Sequence, residues 1–570
     1  MRVTAARFVA LPVFLLAVAC GGVVSCGSGP DSSRPAADPD AALVARAGAP
    51  LFKGLGEYSR TITTADPGAQ RYFNQGMVMA FGFNHAEAIR AFRAAQKLDP
   101  QCAMCFWGEA LATGPNINVT VKGKAVMSPA DRVSAYKASR LALGLKGNAT
   151  AVERALIDAQ AQRYDGSETS DREPQDVAYA EAMKKVVAEF PADDDAAAIY
   201  AEAWMNTMPW DYWSAAGEPK PATVEVITAL ERILARSPRH PLALHLYIHA
   251  VEASSTPGRA EKAADTLLAL VPNSGHLVHM PAHTYWRVGR YHDASEANVK
   301  AAAVDEAYIA QCKAQGFYPA MYYPHNIHFL WAASSMEGRS AVAIEAAEKV
   351  AANVRLEQIK EFPAVEFFKT IPTVARVQFG RWDEILALPT PDGALDYVNA
   401  IHHYARGVAF ARRNDLSAAR RERAALVPLK KTAKVMTIDA NDYPAVALLE
   451  IADTLLQGEI ASAAGSHTTA IAHFRRAVGL QDALPYTEPP FWYYPTRQSL
   501  GAALVAARRF AEAEAVYRKD LETYPHNGWS MFGLIQSLEA QGKQAAAGDM
   551  RTMFDHVWSK ADVKLEGSRF

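Results

Sequence analysis

The sequence predicts an all-α superhelix of stacked helical hairpins, and two observations predict it. Half of the 570 residues are apolar, alanine is conspicuous throughout and strand-type alternation is rare, a composition that favours helix. The second observation is a recurring spacing. In "YFNQGMVMAFGFNHAEAIRAFRAAQKLDP" (72–100), Gly76 is followed by Ala88, Phe92 and Pro100, and in "SLGAALVAARRFAEAEAVYRKDLETYP" (499–525), Gly501 is followed by Ala513, Tyr517 and Pro525. Both sets stand 12, 16 and 24 residues from the glycine. "ARGVAFARRNDLSAA" (405–419) and "SHTTAIAHFRRA" (466–477) are partial copies, and the pattern fits in at least seven places between residues 69 and 557. An ordinary bundle has no reason to keep fixed offsets so far apart, whereas a solenoid repeats one packing unit. The balance of 59 Lys+Arg against 61 Asp+Glu, a formal net charge of −2, leaves no basic footprint for nucleic acid.

In chain order, "MRVTAARFVALPVFLLAVACGG" sets Arg2 and Arg7 before an apolar run (8–19) too short to span a bilayer comfortably, which reads as an export signal. The small-residue–cysteine ending resembles a bacterial lipoprotein signal, at Cys20 ("AVAC") or at the better-fitting Cys26 ("VVSC"); plain secretion is the alternative. Residues 1–26 are therefore expected to be a signal peptide and 27–50 a flexible, Pro-rich linker, with the solenoid over 51–560 and a C-terminal tail over 561–570. The location implied is the cell envelope of a bacterium, with a lipid anchor holding the chain to a membrane.

The repeated unit resembles the tetratricopeptide repeat (TPR), a 34-residue helical hairpin with small residues where the helices touch, aromatics in the holes and proline closing the second helix. Four segments fall off the period: 113–131, 163–176, 208–222 and 305–323. Such insertions sit as loops on one face, often a binding face, and two of these are rich in Trp and Tyr. Beyond the leader only Cys102, Cys105 and Cys312 remain. "CAMCFWGEA" lacks the histidine that haem attachment requires, and no second pair exists for a zinc knuckle. A local Cys102–Cys105 disulfide is one reading, and a soft-metal relay with Met104 is the other.

Histidines carry the functional signal. "HLVHMPAHTYWRVGRYHDA" (276–294) holds four of the 16 in the chain. Gly289, Tyr291 and Ala294 set the register, so this repeat begins at Gly275, the preceding one at Pro241 and the next clear one at Pro324. In TPR proteins positions 2, 5 and 9 of the first helix point into the concave groove; that is what the resemblance implies. The nine slots are Leu242, His245, His249; His276, His279, His283; His325, His328 and Ala332. Seven are histidine, where composition alone would give about 0.25. Residues three or four apart on a helix have Cβ atoms about 5–6 Å apart, so rings from neighbouring helices can converge on one ion. A cation would also hold such a cluster neutral. Pro281, between His279 and His283, either starts the helix late or bends it to aim the rings.

The expectation is a transition-metal site, copper or zinc, ligated by His245, His249, His279, His283 and His328 with His276 and His325 in support. Glu252, Tyr322 and Tyr323 are candidates to complete it, and Trp286 and Trp331 to wall a pocket. Trp210 and Trp213 are hole-fillers or pocket wall. "CAMCFWGEALATGPNIN", "GHLVHMPAHTYWRVGRY" and "YYPHNIHFLWAA" together resemble a family of exported bacterial TPR proteins of similar length, which implies the fold and location but no reaction. The leading functional expectation is a metal- or partner-binding accessory protein. A metal-dependent enzyme, hydrolase or oxidase, using the same histidines is the second, and a metal-free scaffold taking a protein or peptide in its groove is the third. There is no phosphate loop, HExxH or dinucleotide fingerprint.

Overall fold

A computed structural model describes residues 40–121, 123–214, 217–314 and 316–570. The signal segment, Cys20 and Cys26 lie outside the described residues. Helices follow one another from Ala41–Ala47 to Gln544–Val557, and the only strands among the described residues are the pair Thr120–Val121 and Lys124–Ala125, inside the first insertion. The chain is an all-α superhelix of TPR-type hairpins. Successive helices pack along the chain, as Pro67–Phe81 does on His85–Leu98 and that in turn on Ala103–Thr113. No described helix is long and apolar enough to cross a membrane.

The fixed offsets have a steric cause. Phe92 lies between two leading helices, and its ring fills the space beside Gly76 and Gly108; a Cβ on Gly76 would stand 2.7 Å from the ring. Tyr517 occupies the same place between Gly501 and Gly533. Glycine is required there because the aromatic is there, and both recur because the hole recurs.

Two boundaries differ from expectation. Residues 41–47, inside the stretch read as linker, form a helix in which Arg46 pairs with Asp66 and Arg71 reaches Asp40. The stretch 561–570 is no free tail. Asp562 accepts from the backbone N–H groups of Ser340 and Ala341, Ser568 is buried against Tyr517, and Phe570 packs on Gly380 and Trp529. The contacts with Ser340, Ala341 and Gly380 are with distant repeats, which no local composition signals.

The superhelix coils tightly enough that distant repeats touch. Trp529 Nε1 donates to the Ser335 carbonyl at 2.9 Å, and Asn273 Nδ2 to the Lys53 carbonyl at 2.8 Å. Helix Pro67–Phe81 packs against Pro241–Glu252. The first hairpin therefore lies across the repeats that carry the histidines.

Candidate metal centre

Three leading helices present the histidines. His245 and His249 stand one turn apart on Pro241–Glu252, every residue of which is buried. His276 and His279 lie on Gly275–His279, and His283 on Pro281–Arg287. Pro281 has no N–H to continue the ladder and begins the second segment, but Met280 keeps φ −51° and ψ −37°, so the backbone passes the break in helical conformation. Helix precedes the proline, which removes the late-start role; the rings flanking the break, His279 and His283, meet each other. His325 and His328 lie on Tyr323–Met336, entered through the π-helical turn Tyr318–Tyr322.

The rings gather into two sets of three. Ligand-competent atoms of His245, His249 and His276 lie within 4.8 Å of one another, and so do those of His279, His283 and His325. One rule builds both sets: positions 5 and 9 of one repeat, with position 2 of the next. The sets adjoin, with the His249 and His283 ring centroids 5.5 Å apart and those of His276 and His279 5.7 Å apart. His276 and His325, expected only in support, are full members. His328, expected as a ligand, is not brought to either set. It stands at position 5 of the third repeat, whose position 9 is Ala332, so no second ring accompanies it. It stacks instead on Trp331 at 5.1 Å and meets Phe367 and Phe368.

Four rings are tied back through Nδ1. His245 Nδ1–H donates to the Phe81 carbonyl and His279 Nδ1–H to Asn298 Oδ1, each at 2.7 Å. His249 and His283 donate to the two oxygens of Glu252, at 2.8 and 2.6 Å, so one carboxylate orients a ring in each set. An imidazole donating from Nδ1 keeps a lone pair on Nε2, the arrangement that orients histidine metal ligands. In the first set Nε2 of His245 and His249 and both ring nitrogens of His276 are buried without a hydrogen-bond partner. In the second, His279 Nε2 and His283 Nε2 lie 2.9 Å apart. With both Nδ1 atoms donating, two lone pairs would face each other there unless a cation, a proton or a metal ion, lies between them.

Electrostatics agree with that reading. Burial, and then the neighbouring rings, hold His245, His276, His279 and His325 well below the usual imidazole range, and burial lowers His249. His283 moves the other way. Burial lowers it, but Glu252 and Glu488 outweigh burial and push it up to about 10. Burial likewise opposes ionisation of Glu252, yet His283 and His249 hold it at about 2. Three nitrogens bound at about 2.0–2.1 Å to a tetrahedral ion lie about 3.3 Å apart, so the widest spacing in each set would close by at most about 1.5 Å around an ion, while the 2.9 Å spacing of His279 and His283 would open by about 0.4 Å.

The rings line an inner face, as expected, but not an open groove. Phe83, in the turn after Pro67–Phe81 at φ 54°, puts its ring 4.5 Å from His245 and 5.4 Å from His276. Trp210 meets His249 edge-on at 5.1 Å, Tyr322 lies 4.7 Å from His276, and Phe329 lies 5.0 Å from His283. Glu488 reaches within 3.4 Å of His283 Nδ1 from the far repeats. Of the six rings only His325 is half-exposed. Tyr323 donates to Glu306 instead, and Trp286 packs on Tyr291 and Phe329. Trp213 is tied to the Ala250 carbonyl at 2.9 Å. Cys102 and Cys105 are joined in a disulfide at the start of helix Ala103–Thr113, which leaves no thiolate there for a soft-metal relay.

Sequence reasoning missed Phe83, Asn298, Phe329 and Glu488. For Glu488 a signal existed: "PYTEPPFWYYP" (485–495) is off the period and as aromatic as the insertions that were singled out. For Phe83 the signal is weaker, an aromatic in a hairpin turn where a small or polar residue is usual.

No protein-family model matches the sequence, and no curated relative does. Among solved structures the chain is similar to a human IFIT1 dimer with m7Gppp-AAAA, at 10% identity over 87% of this chain and 91% of that one, with a TM-score of 0.30. It is also similar to the APC/C hetero-tetramer Cut9-Hcn1, at 12% identity over 87% and 88% of the two chains and a TM-score of 0.27. The TPR domain of P58(IPK) is similar at 10% identity over 84% and 99%, with a TM-score of 0.23. None of the three informs the chemistry of the histidine layer.

Proposed function

We propose that the protein binds two transition-metal ions, copper or zinc, one in each three-histidine set. The observation that carries this reading is the direction of the rings: Nδ1 atoms tied outward to Phe81, Asn298 and Glu252, and Nε2 atoms turned inward, those of His245 and His249 without a partner and those of His279 and His283 facing each other. An ordinary buried histidine satisfies both nitrogens within the protein. Imidazole-only donor sets suit copper and zinc alike. The test is elemental analysis of untagged protein after reconstitution and dialysis. Two ions per chain are expected in the parent, one in His249→Ala and one in His283→Ala, each with parental helical content. A parent that retains no metal, or variants that both retain two, would overturn the assignment.

Metal-dependent catalysis is the second reading, and it has its own support. Three protein ligands leave a coordination position for water or substrate, as catalytic sites do. Burial of five of the six rings argues against a protein or peptide partner reaching these histidines. Export and a lipid anchor at Cys20 or Cys26 remain part of the same proposal, tested by metabolic labelling with a radioactive fatty acid.

A further inference from the structure

The two histidine sets are not equally enclosed. His245, His249 and His276 are at most 1% exposed, and Nε2 of the first two and both nitrogens of the third are sealed. In the second set His279 is fully buried and His283 is 3% exposed, but His325 is half-exposed. It borders a cavity of about 170 Å³, walled by His325, His328 and Trp331 from one leading helix, Ile371 and Val374 from the next hairpin, and the off-period stretch 487–493. The far side of that cavity reaches the surface, since Phe367, Thr487, Pro490 and Phe491 on its wall are half-buried.

Hydrogen bonding also sets His325 apart from the rest of its set. His279 is held through Nδ1 to Asn298 and His283 through Nδ1 to Glu252. Neither ring nitrogen of His325 has a hydrogen-bond partner among the described residues, and neither is among the sealed atoms. The ring is placed by packing alone, with centroids 4.8 Å from His279 and 5.9 Å from Phe329. A side chain held only by packing changes rotamer at small cost where there is space to receive it. An apolar cavity of about 150 Å³ holds a benzene ring, so the cavity beside His325 has room for an imidazole.

We propose that this cavity is the port of the second metal set and His325 its detachable ligand. The ring turns into the cavity, and the ion enters or leaves by the side it uncovers. Only the bond between His325 and the ion breaks. The imidazole departs neutral with its lone pair, and a water or other compact donor from the cavity takes the position. The ion held by His279, His283 and His325 is thus the exchangeable one, and the ion held by His245, His249 and His276 is retained. This inference rests on the two-ion reading and gives each ion its own part.

The test has two arms. In the first, protein loaded with natural zinc is mixed with isotopically enriched zinc, and uptake of the label is followed by mass spectrometry. One of two ions is expected to exchange at least about 10-fold faster than the other, because a ring turns for the first and whole repeats must part for the second. His249→Ala should show only the fast ion and His283→Ala only the slow one. Ile371→Trp and the milder Ile401→Phe fill the cavity and should slow the fast ion, with metal stoichiometry and helical content parental. In the second arm metal-free parent protein is treated with diethyl pyrocarbonate, which acylates accessible imidazole, and peptides are mapped. Of the six rings His325 is expected to react first, by at least about 10-fold, a result that needs no filling variant to fold. Two ions exchanging at one rate, a fast ion surviving in His283→Ala, an unaltered fast ion in folded filling variants, or another of the six rings reacting as quickly as His325 would overturn the port while leaving the two-ion reading intact. A parent that retains no zinc and no copper would overturn both.

Discussion

Glu252→Gln separates the two histidine sets by a single atom exchange. Glu252 is 1% exposed, and its two oxygens accept Nδ1–H from His249 in one set and from His283 in the other. A glutamine keeps one acceptor oxygen and presents an amide N–H in place of the other. One ring keeps its partner. The other faces a donor and must take the opposite tautomer, which puts a hydrogen on Nε2 where an ion would need the lone pair. Loss of an outer hydrogen-bond partner weakens metal binding by about 10–100-fold, and that loss is expected at one site only, with the other within about 3-fold of the parent. Arg287 also anchors here, but to the Glu252 backbone carbonyl, which the substitution leaves in place. The assay is competitive titration against a chromophoric chelator, with an elemental count at each plateau and circular dichroism as the folding control. Unchanged affinity at both sites, or equal weakening at both, would refute the shared-carboxylate reasoning.

Other expectations follow from single contacts. His328→Ala should retain both ions, because that ring packs on Trp331, Phe367 and Phe368 and belongs to neither set of three; an ion count falling to one would place it among the ligands. Gly501→Ala drives a Cβ into the Tyr517 ring and should cost about 1–3 kcal/mol, read as a lower Tm, whereas Gly479→Ala, in a helix with open space around it, should be neutral or mildly stabilising. Asp520 is fully buried, and burial pushes its carboxyl up from 3.8 to about 7. The folded chain then keeps a proton that the unfolded chain releases above 3.8, so the group's contribution is whole at low pH and is lost as pH rises through about 7. The unfolding free energy of Asp520→Asn relative to the parent, read by denaturant titration, should therefore climb from pH 4 to pH 7, by up to about 1.4 kcal/mol per pH unit; a flat difference would contradict the shifted carboxyl.

The repeat was legible because its cause is local. Gly76 and Gly501 must be small where Phe92 and Tyr517 lie, and those pairs sit 16 residues apart wherever the hairpin recurs. The histidine slots were legible for the same reason, since a register fixed by Gly289 and Tyr291 determines which residues share a helix face. The partition into two sets was not, because it depends on how position 2 of one helix leans toward positions 5 and 9 of the helix before it. His328 shows the limit: the right slot in the right repeat, with Ala332 where its companion would be. Phe83 and Glu488 arrive through coiling that brings residues more than 150 positions away onto the histidines, as the His245–Phe81 bond does. A 34-residue period carries no information about that closure.

The roof over the imidazoles is assembled from opposite ends of the polypeptide, Phe83 near the start and Glu488 near the finish. While the chain is still being made, Phe83 and the helices bearing the histidines exist before Glu488 does. The side of His283 that Glu488 covers stays open to water until the last third of the polypeptide has folded back over it. Retention of an ion would then report that synthesis and coiling are both complete, and a truncated chain ending ahead of residue 485 would exchange metal far faster than the finished one.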